Sequence, residues 1–446
     1  DTLLIGDSIE DESFVDVGEG SNFIFVDNGI STSTLIAGDA SDTLVFGGSI
    51  SLSEINLGGG DNYVMSGETS GSAIYSSTLT TGDGSDTILI YGGQFNSVVE
   101  TNAGDDSLHY GPWDVAGVPD GTVSVPTVNP SSIDTGAGND SLSIVGNISN
   151  STINTGVDDD YVTIGGSIGG TEVTTGLGDD TLLIGGDVTS STVSVGEGSN
   201  YLVIAGSISS SEISAGTDAD YVQIGSGTSS TIDSALIDLG GTDDTLILDV
   251  GSIIDSTIMP GGSGADSLVI SGLVSGSEIA LGEGDNSFAA GSVTASTVSA
   301  GGGNDSVELT GRLGGSEIAV GAGSNFISVA GGITTSTITA GDASDTLLFG
   351  GAISQSEITL GGGDNYVMSG ETSGSAMYST TLTTGDGSDT ILIFGGQFNS
   401  VVTTNDGDDS LHYGPWGTGS DVGDGTVSVN PSLIDTGAGN DSLSIV

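Results

Sequence analysis

The sequence has no cysteine, no lysine and a single arginine, Arg312, with only 2 histidines and 7 prolines in 446 residues. Without cysteine there are no disulfide staples, and the redox compartment cannot be read. Without basic residues there is no patch to neutralise phosphate, which argues against nucleic acid and anionic membrane surfaces as partners. No apolar run reaches the roughly 18 residues of a spanning helix, so no membrane insertion is expected. No N-terminal signal segment is visible, and the chain begins at Asp1 rather than Met, so its start reads as processed or not shown. Catalytic parts are scarce too. Each histidine stands alone, and the many carboxylates recur as a lattice instead of converging on one pocket, so the chain reads as no enzyme.

What the sequence does have is acid, glycine and periodicity. It holds 60 acidic side chains, a formal net charge of -59 and 79 glycines, yet 35% of its residues are hydrophobic. A disordered acidic tail would lack those evenly spread Leu, Ile and Val residues. The turn in "TGAGND", which ends at Asp140, returns as "GVDDD" at 156–160, "GLGDD" at 176–180, "GEGSN" at 196–200 and "GTDAD" at 216–220, a period of 20 residues. Twenty such turns run from the one ending at Asn22 to the one ending at Asp441, with longer intervals where residues are inserted.

Between turns the pattern is binary. "DSLSIVG" alternates polar and apolar, placing Leu142 and Ile144 on one face as a short strand requires. A second strand follows, with Ile153, Val173, Val193 and Ile213 at equivalent places. Glycine density and the missing 3.6-residue period exclude helix. Two short strands and two turns are too little to bury a core alone, so the units are expected to stack as coils of a parallel β-solenoid, an all-β fold of about 20 residues per coil.

A larger repeat lies over the small one. "SNFIFVDNGISTSTLIAGDASDTLVFGG" from Ser21 matches "SNFISVAGGITTSTITAGDASDTLLFGG" from Ser324, giving a super-repeat of about 302 residues, 21–323 and then 324–446 as a partial second copy. We expect residues 1–446 to form one continuous solenoid of about 22 coils, a window cut from a longer array. Fourteen coils at about 4.8 Å each give an axial repeat of roughly 67 Å. Loop excursions are expected at 110–131 and 413–431, and a solvated bulge at 66–77 and 369–380.

The chemistry attaches to the turn. Its last residue is Asn at 22, 62, 200, 286, 325 and 365 and Asp at Asp42, Asp86, Asp106, Asp140, Asp160, Asp180, Asp220, Asp244, Asp266, Asp305, Asp345, Asp389, Asp409 and Asp441. Stacking puts these carboxylates in a file. Two charges about 4.8 Å apart repel by roughly 0.9 kcal/mol in water and about 3.5 kcal/mol at an effective dielectric of 20. Hard divalent cations relieve this, and calcium suits best because it accepts six to eight oxygens from carboxylates and carbonyls in loose geometry. About one Ca²⁺ per coil along one edge is therefore the expected cofactor. The alternative is that Asp and Asn act only as turn residues capping backbone N–H groups.

The turns "GAGNDSLSI" (136–144), "GLGDDTLLI" (176–184) and "GDGSDTILI" (82–90 and 385–393) resemble the GGxGxDxUx nonapeptide of RTX, or haemolysin-type, calcium-binding repeats. That resemblance implies a right-handed parallel β-roll whose turn Asp residues and carbonyls hold Ca²⁺, folded outside the cell. It departs from the family in two respects: the second half-coil, "GNISNSTIN", has no Asp, so one calcium file is expected instead of two, and six turns end in Asn, which makes them weaker candidate sites than the Asp turns. Glu19, Glu197 and Glu283, three residues before Asn22, Asn200 and Asn286, are expected to keep the local charge at those turns.

Two further features stand out. The residue before the buried Ile, Leu or Val of the second strand alternates, as in Thr152, Glu172, Thr192 and Glu212, and Glu never follows Glu, which spaces like charges. The segments that contain the excursions, 105–132 and 408–433, hold both tryptophans, Trp113 and Trp416, and both histidines, His109 and His412, as candidate lateral contacts between fibres or a ligand platform. The expected function is a calcium-stabilised structural protein of an extracellular filament, matrix or surface layer, self-associating end to end and laterally. The alternative is the stalk of a giant adhesin with its binding domain elsewhere. Ice binding is disfavoured, because the turn position after the first glycine varies among Ala, Val, Leu, Glu and Asp.

Overall fold

The computed structural model of the chain describes residues 1–67, 73–112, 127–370, 376–414 and 432–445. It is an all-β parallel β-solenoid with about 20 residues per coil, arranged in two compact units, Asp1–Ile224 and Gly225–Val446.

In the first unit one coil runs through strands Ser141–Ile144, Ile148–Ser149 and Thr152–Val157. The next coil repeats them at Tyr161–Ile164, Ile168–Gly169 and Glu172–Leu177. Pairing is parallel and in register, with Leu142 opposite Val162, Ile144 opposite Ile164, Ile148 opposite Ile168 and Ile153 opposite Val173. Alternation turns these four side chains of each coil inward, where they are at most 1% exposed. Each is covered only because a like residue lies above or below it, so the ladder is the unit of stability rather than the single coil.

The second unit is built alike. Strands Ser306–Leu309, Leu313–Gly314 and Glu317–Ala319 pair with Phe326–Val329, Ile333–Thr334 and Thr337–Thr339. Val307, Leu309, Leu313 and Ile318 fill the interior.

Three expectations need correction. A coil carries three strand segments, not two, because the second half is broken at a residue in the left-handed region, such as Asn150 (φ 50°), Ser190 (φ 49°) and Ser210 (φ 50°). The excursion 110–131 is too wide: Val128 is fully buried and bridges Gln94 and Ile148, filling the two-residue-strand position of its coil. The 66–77 bulge is also narrower, since Ser66, Ala73 and Ile74 are buried and Ile74 pairs with Ile50 and Gln94. In both places apolar or small residues at the ends of the insertion rejoin the ladder, because leaving it would open a gap in a continuous core.

Candidate metal centre

The glycine-rich turn joins the third strand of one coil to the first strand of the next. Its close stacking requires glycine: at Gly176 (φ +111°) a Cβ would lie 1.8 Å from the Gly156 carbonyl oxygen, and at Gly178 (φ +134°) 2.2 Å from that of Asp158.

The last turn residue points inward. Thirteen of the predicted carboxylates, from Asp42 to Asp409, are at most 3% exposed, and Asp441 is half-buried. One carboxylate oxygen is taken by the coil before it. The backbone N–H of Asn22 donates to Oδ1 of Asp42 (2.7 Å), Asp86 to Asp106 (2.8 Å), Asp106 to Asp140 (2.8 Å), Asp140 to Asp160 (2.9 Å), Asp160 to Asp180 (2.8 Å) and Asn200 to Asp220 (2.8 Å). In the second unit the same bond runs from Asp244 to Asp266 (2.9 Å), Asn286 to Asp305 (2.9 Å), Asn325 to Asp345 (2.8 Å), Asp389 to Asp409 (2.9 Å) and Asp409 to Asp441 (3.1 Å). The chain thus brings the predicted Asp series together as one file within each unit.

The asparagine rungs show what surrounds the other atom. Asn62 accepts the Asp42 N–H on Oδ1 (2.9 Å), which directs Nδ2 to the carbonyls of Gly58 (3.2 Å), Gly60 (2.8 Å) and Thr81 (2.7 Å). Asn365 does the same with Gly361 (3.2 Å), Gly363 (2.9 Å) and Thr384 (2.6 Å). Nδ2 of Asn200 meets Gly196 (3.1 Å) and Gly198 (2.9 Å).

At an aspartate rung an acceptor stands where that donor stood. Oδ2 of Asp42, Asp86, Asp106, Asp140, Asp160, Asp180, Asp266, Asp305 and Asp345 is buried without a hydrogen-bond partner. Burial raises these carboxyls, to about 7 at Asp106 and Asp160 and to about 6 at Asp86, Asp140 and Asp345. Nearby threonine hydroxyls or the Asn side chains of the preceding rung offset part of that rise. At Asp389 and Asp409 Oδ2 accepts from a threonine hydroxyl, Thr384 Oγ1 (2.5 Å) and Thr404 Oγ1 (2.6 Å). A buried carboxylate oxygen that makes no hydrogen bond, in a space that the asparagine rungs show to be lined by turn carbonyls, fits a hard cation such as Ca²⁺, with water completing the shell.

The remaining candidates fall elsewhere. His109 and His412 sit half-buried in the outward file of the first strand, opposite Leu89 and Ser143 and opposite Leu392 and Ser444. Trp113 and Trp416 lie outside the described residues. Glu197 and Glu283 do not serve their own Asn turns. They reach the following coil, Glu197 accepting from the Thr217 hydroxyl (2.6 Å) and Glu283 from the Gly302 N–H (2.8 Å), and their charges add to the rise that burial imposes on Asp220 and Asp305. The Thr/Glu alternation is real in register: Thr152, Glu172, Thr192 and Glu212 stand side by side, as do Glu278, Thr297 and Glu317.

Sequence reasoning missed a second polar ladder. Ser33, Ser53, Ser77 and their equivalents are buried; each N–H donates to the Oγ of the next coil, as Ser53 to Ser77 (3.0 Å), and each Oγ donates to the carbonyl two residues back, as Ser77 to Tyr75 (2.7 Å). The recurrent Ser before the Thr/Glu position was its visible signal.

No protein-family model matches the chain, and no curated protein matches it. A solved structure similar to it is the X-ray crystal structure of a hyperactive, Ca²⁺-dependent, β-helical antifreeze protein from an Antarctic bacterium, at 16% identity and TM-score 0.31, over 92% of this chain and 94% of that one. The fold described above makes this chain a repeat protein of the β-solenoid class.

Proposed function

We propose that the chain is a calcium-stabilised structural protein of an extracellular filament, matrix or surface layer, akin to the haemolysin-type calcium-binding repeats. The observation that supports this is the buried carboxylate file, in which the Oδ2 atoms of nine rungs, Asp106 and Asp160 among them, have no hydrogen-bond partner. A file of this kind is stable as a fully charged array only with a cation at each carboxylate, and loose oxygen sites of this type suit the millimolar calcium found outside cells. The structural role follows from repetition: the same side chains recur coil after coil, and stacking of coils is itself the interaction that would extend the array. The purified chain should form filaments in Ca²⁺ with an axial period near 67 Å, the roughly 4.8 Å coil spacing taken fourteen times, and excess EDTA should loosen the coils. Unchanged circular dichroism in EDTA would refute the calcium role. Monomeric rods in Ca²⁺ would refute the filament and favour an adhesin stalk.

A further inference from the structure

We infer that the ladder is built from two kinds of rung: carboxylate rungs that each take one calcium ion, and asparagine rungs that take none because Nδ2 occupies the ion's place. This rests on the calcium reading above and specifies which turns carry it out. The geometric ground is the pair of environments already given. At Asn62 and Asn365 three carbonyls converge on Nδ2, whereas at Asp106 and Asp160 the buried Oδ2 is left without a donor.

An independent sequence feature separates the two kinds. Five residues before the six asparagines stand Val17, Leu57, Val195, Leu281, Val320 and Leu360. Before the fourteen aspartates the same position is Thr in eight and Ala in four; the exceptions are Leu239 before Asp244 and the turn before Asp266, which is one residue longer. Setting aside the copies made by the super-repeat, four separate asparagine turns obey the rule. The chemistry explains the pairing. A threonine hydroxyl at this position donates to the carboxylate at Asp389 and Asp409, and those of Thr101, Thr135, Thr155 and Thr175 donate to the carbonyl of the next coil's equivalent residue; at an asparagine rung the neighbouring group is an NH₂ donor, which offers the hydroxyl no acceptor. A large aliphatic side chain closes the space, as fully buried Leu57 and Leu360 do.

Calcium is therefore patterned along the chain. Five carboxylate rungs run consecutively from Asp86 to Asp180, whereas from Asn286 to Asn365 they occupy every second coil. The full chain should hold fourteen ions, one for each aspartate rung, with the hydroxyls of Thr384 and Thr404 turning away from Oδ2 of Asp389 and Asp409 as the ion enters.

Native mass spectrometry of the full chain, equilibrated with Ca²⁺ alone and desalted, counts them. The triple variant N286D/N325D/N365D should gain three ions, and the double variant D305N/D345N should lose two. A wild type that holds no calcium refutes the calcium reading and this inference with it. A wild type that holds about twenty ions, or a triple variant that keeps native circular dichroism and gains none, refutes the rung assignment alone. Should the triple variant fail to fold, the double variant decides: an unchanged ion count overturns the assignment.

Discussion

Replacing Asp160 with asparagine should make the surrounding coils less dependent on calcium. Asp160 lies in the run of consecutive carboxylate rungs; its Oδ1 accepts the Asp140 N–H (2.9 Å), and its own N–H donates to Asp180 (2.8 Å). Both bonds survive in D160N, because Asn keeps Oδ1. Burial, helped by the charges of Asp140 and Asp180, raises the Asp160 carboxyl from 3.8 to about 7. At ~1.36 kcal/mol per decade, that shift opposes the ionised form in the cation-free fold at pH 8 by on the order of 4 kcal/mol. The asparagine removes this opposition and turns Nδ2 toward the Gly156 and Asp158 carbonyls, as Asn200 does with Gly196 and Gly198. Solenoids open locally, so the readout is amide hydrogen exchange of residues 140–180 in EDTA at pH 8. Since ~1.4 kcal/mol is a factor of ten, D160N should slow exchange there by at least tenfold and up to about a thousandfold. In saturating Ca²⁺ the order should reverse, because the variant has one ion fewer to stabilise it. Exchange in EDTA as fast as or faster than wild type would refute the reasoning.

The raised carboxyls also set the pH dependence. Without a cation, folded-state values of about 6 to 7 at Asp86, Asp106, Asp140 and Asp160 lie above the unfolded 3.8, so the stability from protonated rungs is complete below about pH 4 and is lost as pH rises through about 6 to 7. Thermal melts in EDTA should therefore be higher at pH 5 than at pH 8, and in excess Ca²⁺ higher at pH 8, because protons compete with the ion; melts in EDTA that rise with pH would contradict this. Ser191→Ala removes the Oγ that accepts the Thr171 N–H (3.1 Å) and donates to Thr189 (2.8 Å). Leaving that buried N–H without a partner should cost about 1–3 kcal/mol, read as faster exchange at Thr171 with the distant coils unchanged.

Much of the fold was legible because alternation and a fixed period determine which side of a strand each residue faces. Leu142, Ile144 and Ile153 stand in ladders where that pattern put them, and the recurrent turn residue does form a file. Facing direction does not reveal which atom meets which. The sequence placed Asp160 beside its neighbours but did not show that one oxygen caps a backbone amide while the other lacks a donor, nor that Asn62 turns an NH₂ into the same space. The strand Ile148–Ser149 is too short for alternation to register. Val128 was hidden by a Pro-rich context that reads as loop, although the continuous core takes it in.

The most direct test is an ion-density map of the chain in Ca²⁺, with anomalous signal to identify the metal. The account predicts one peak beside Oδ2 at each aspartate rung, including Asp106 and Asp160, and none at Asn62 or Asn365. Aspartate rungs without ions in saturating Ca²⁺ would contradict it.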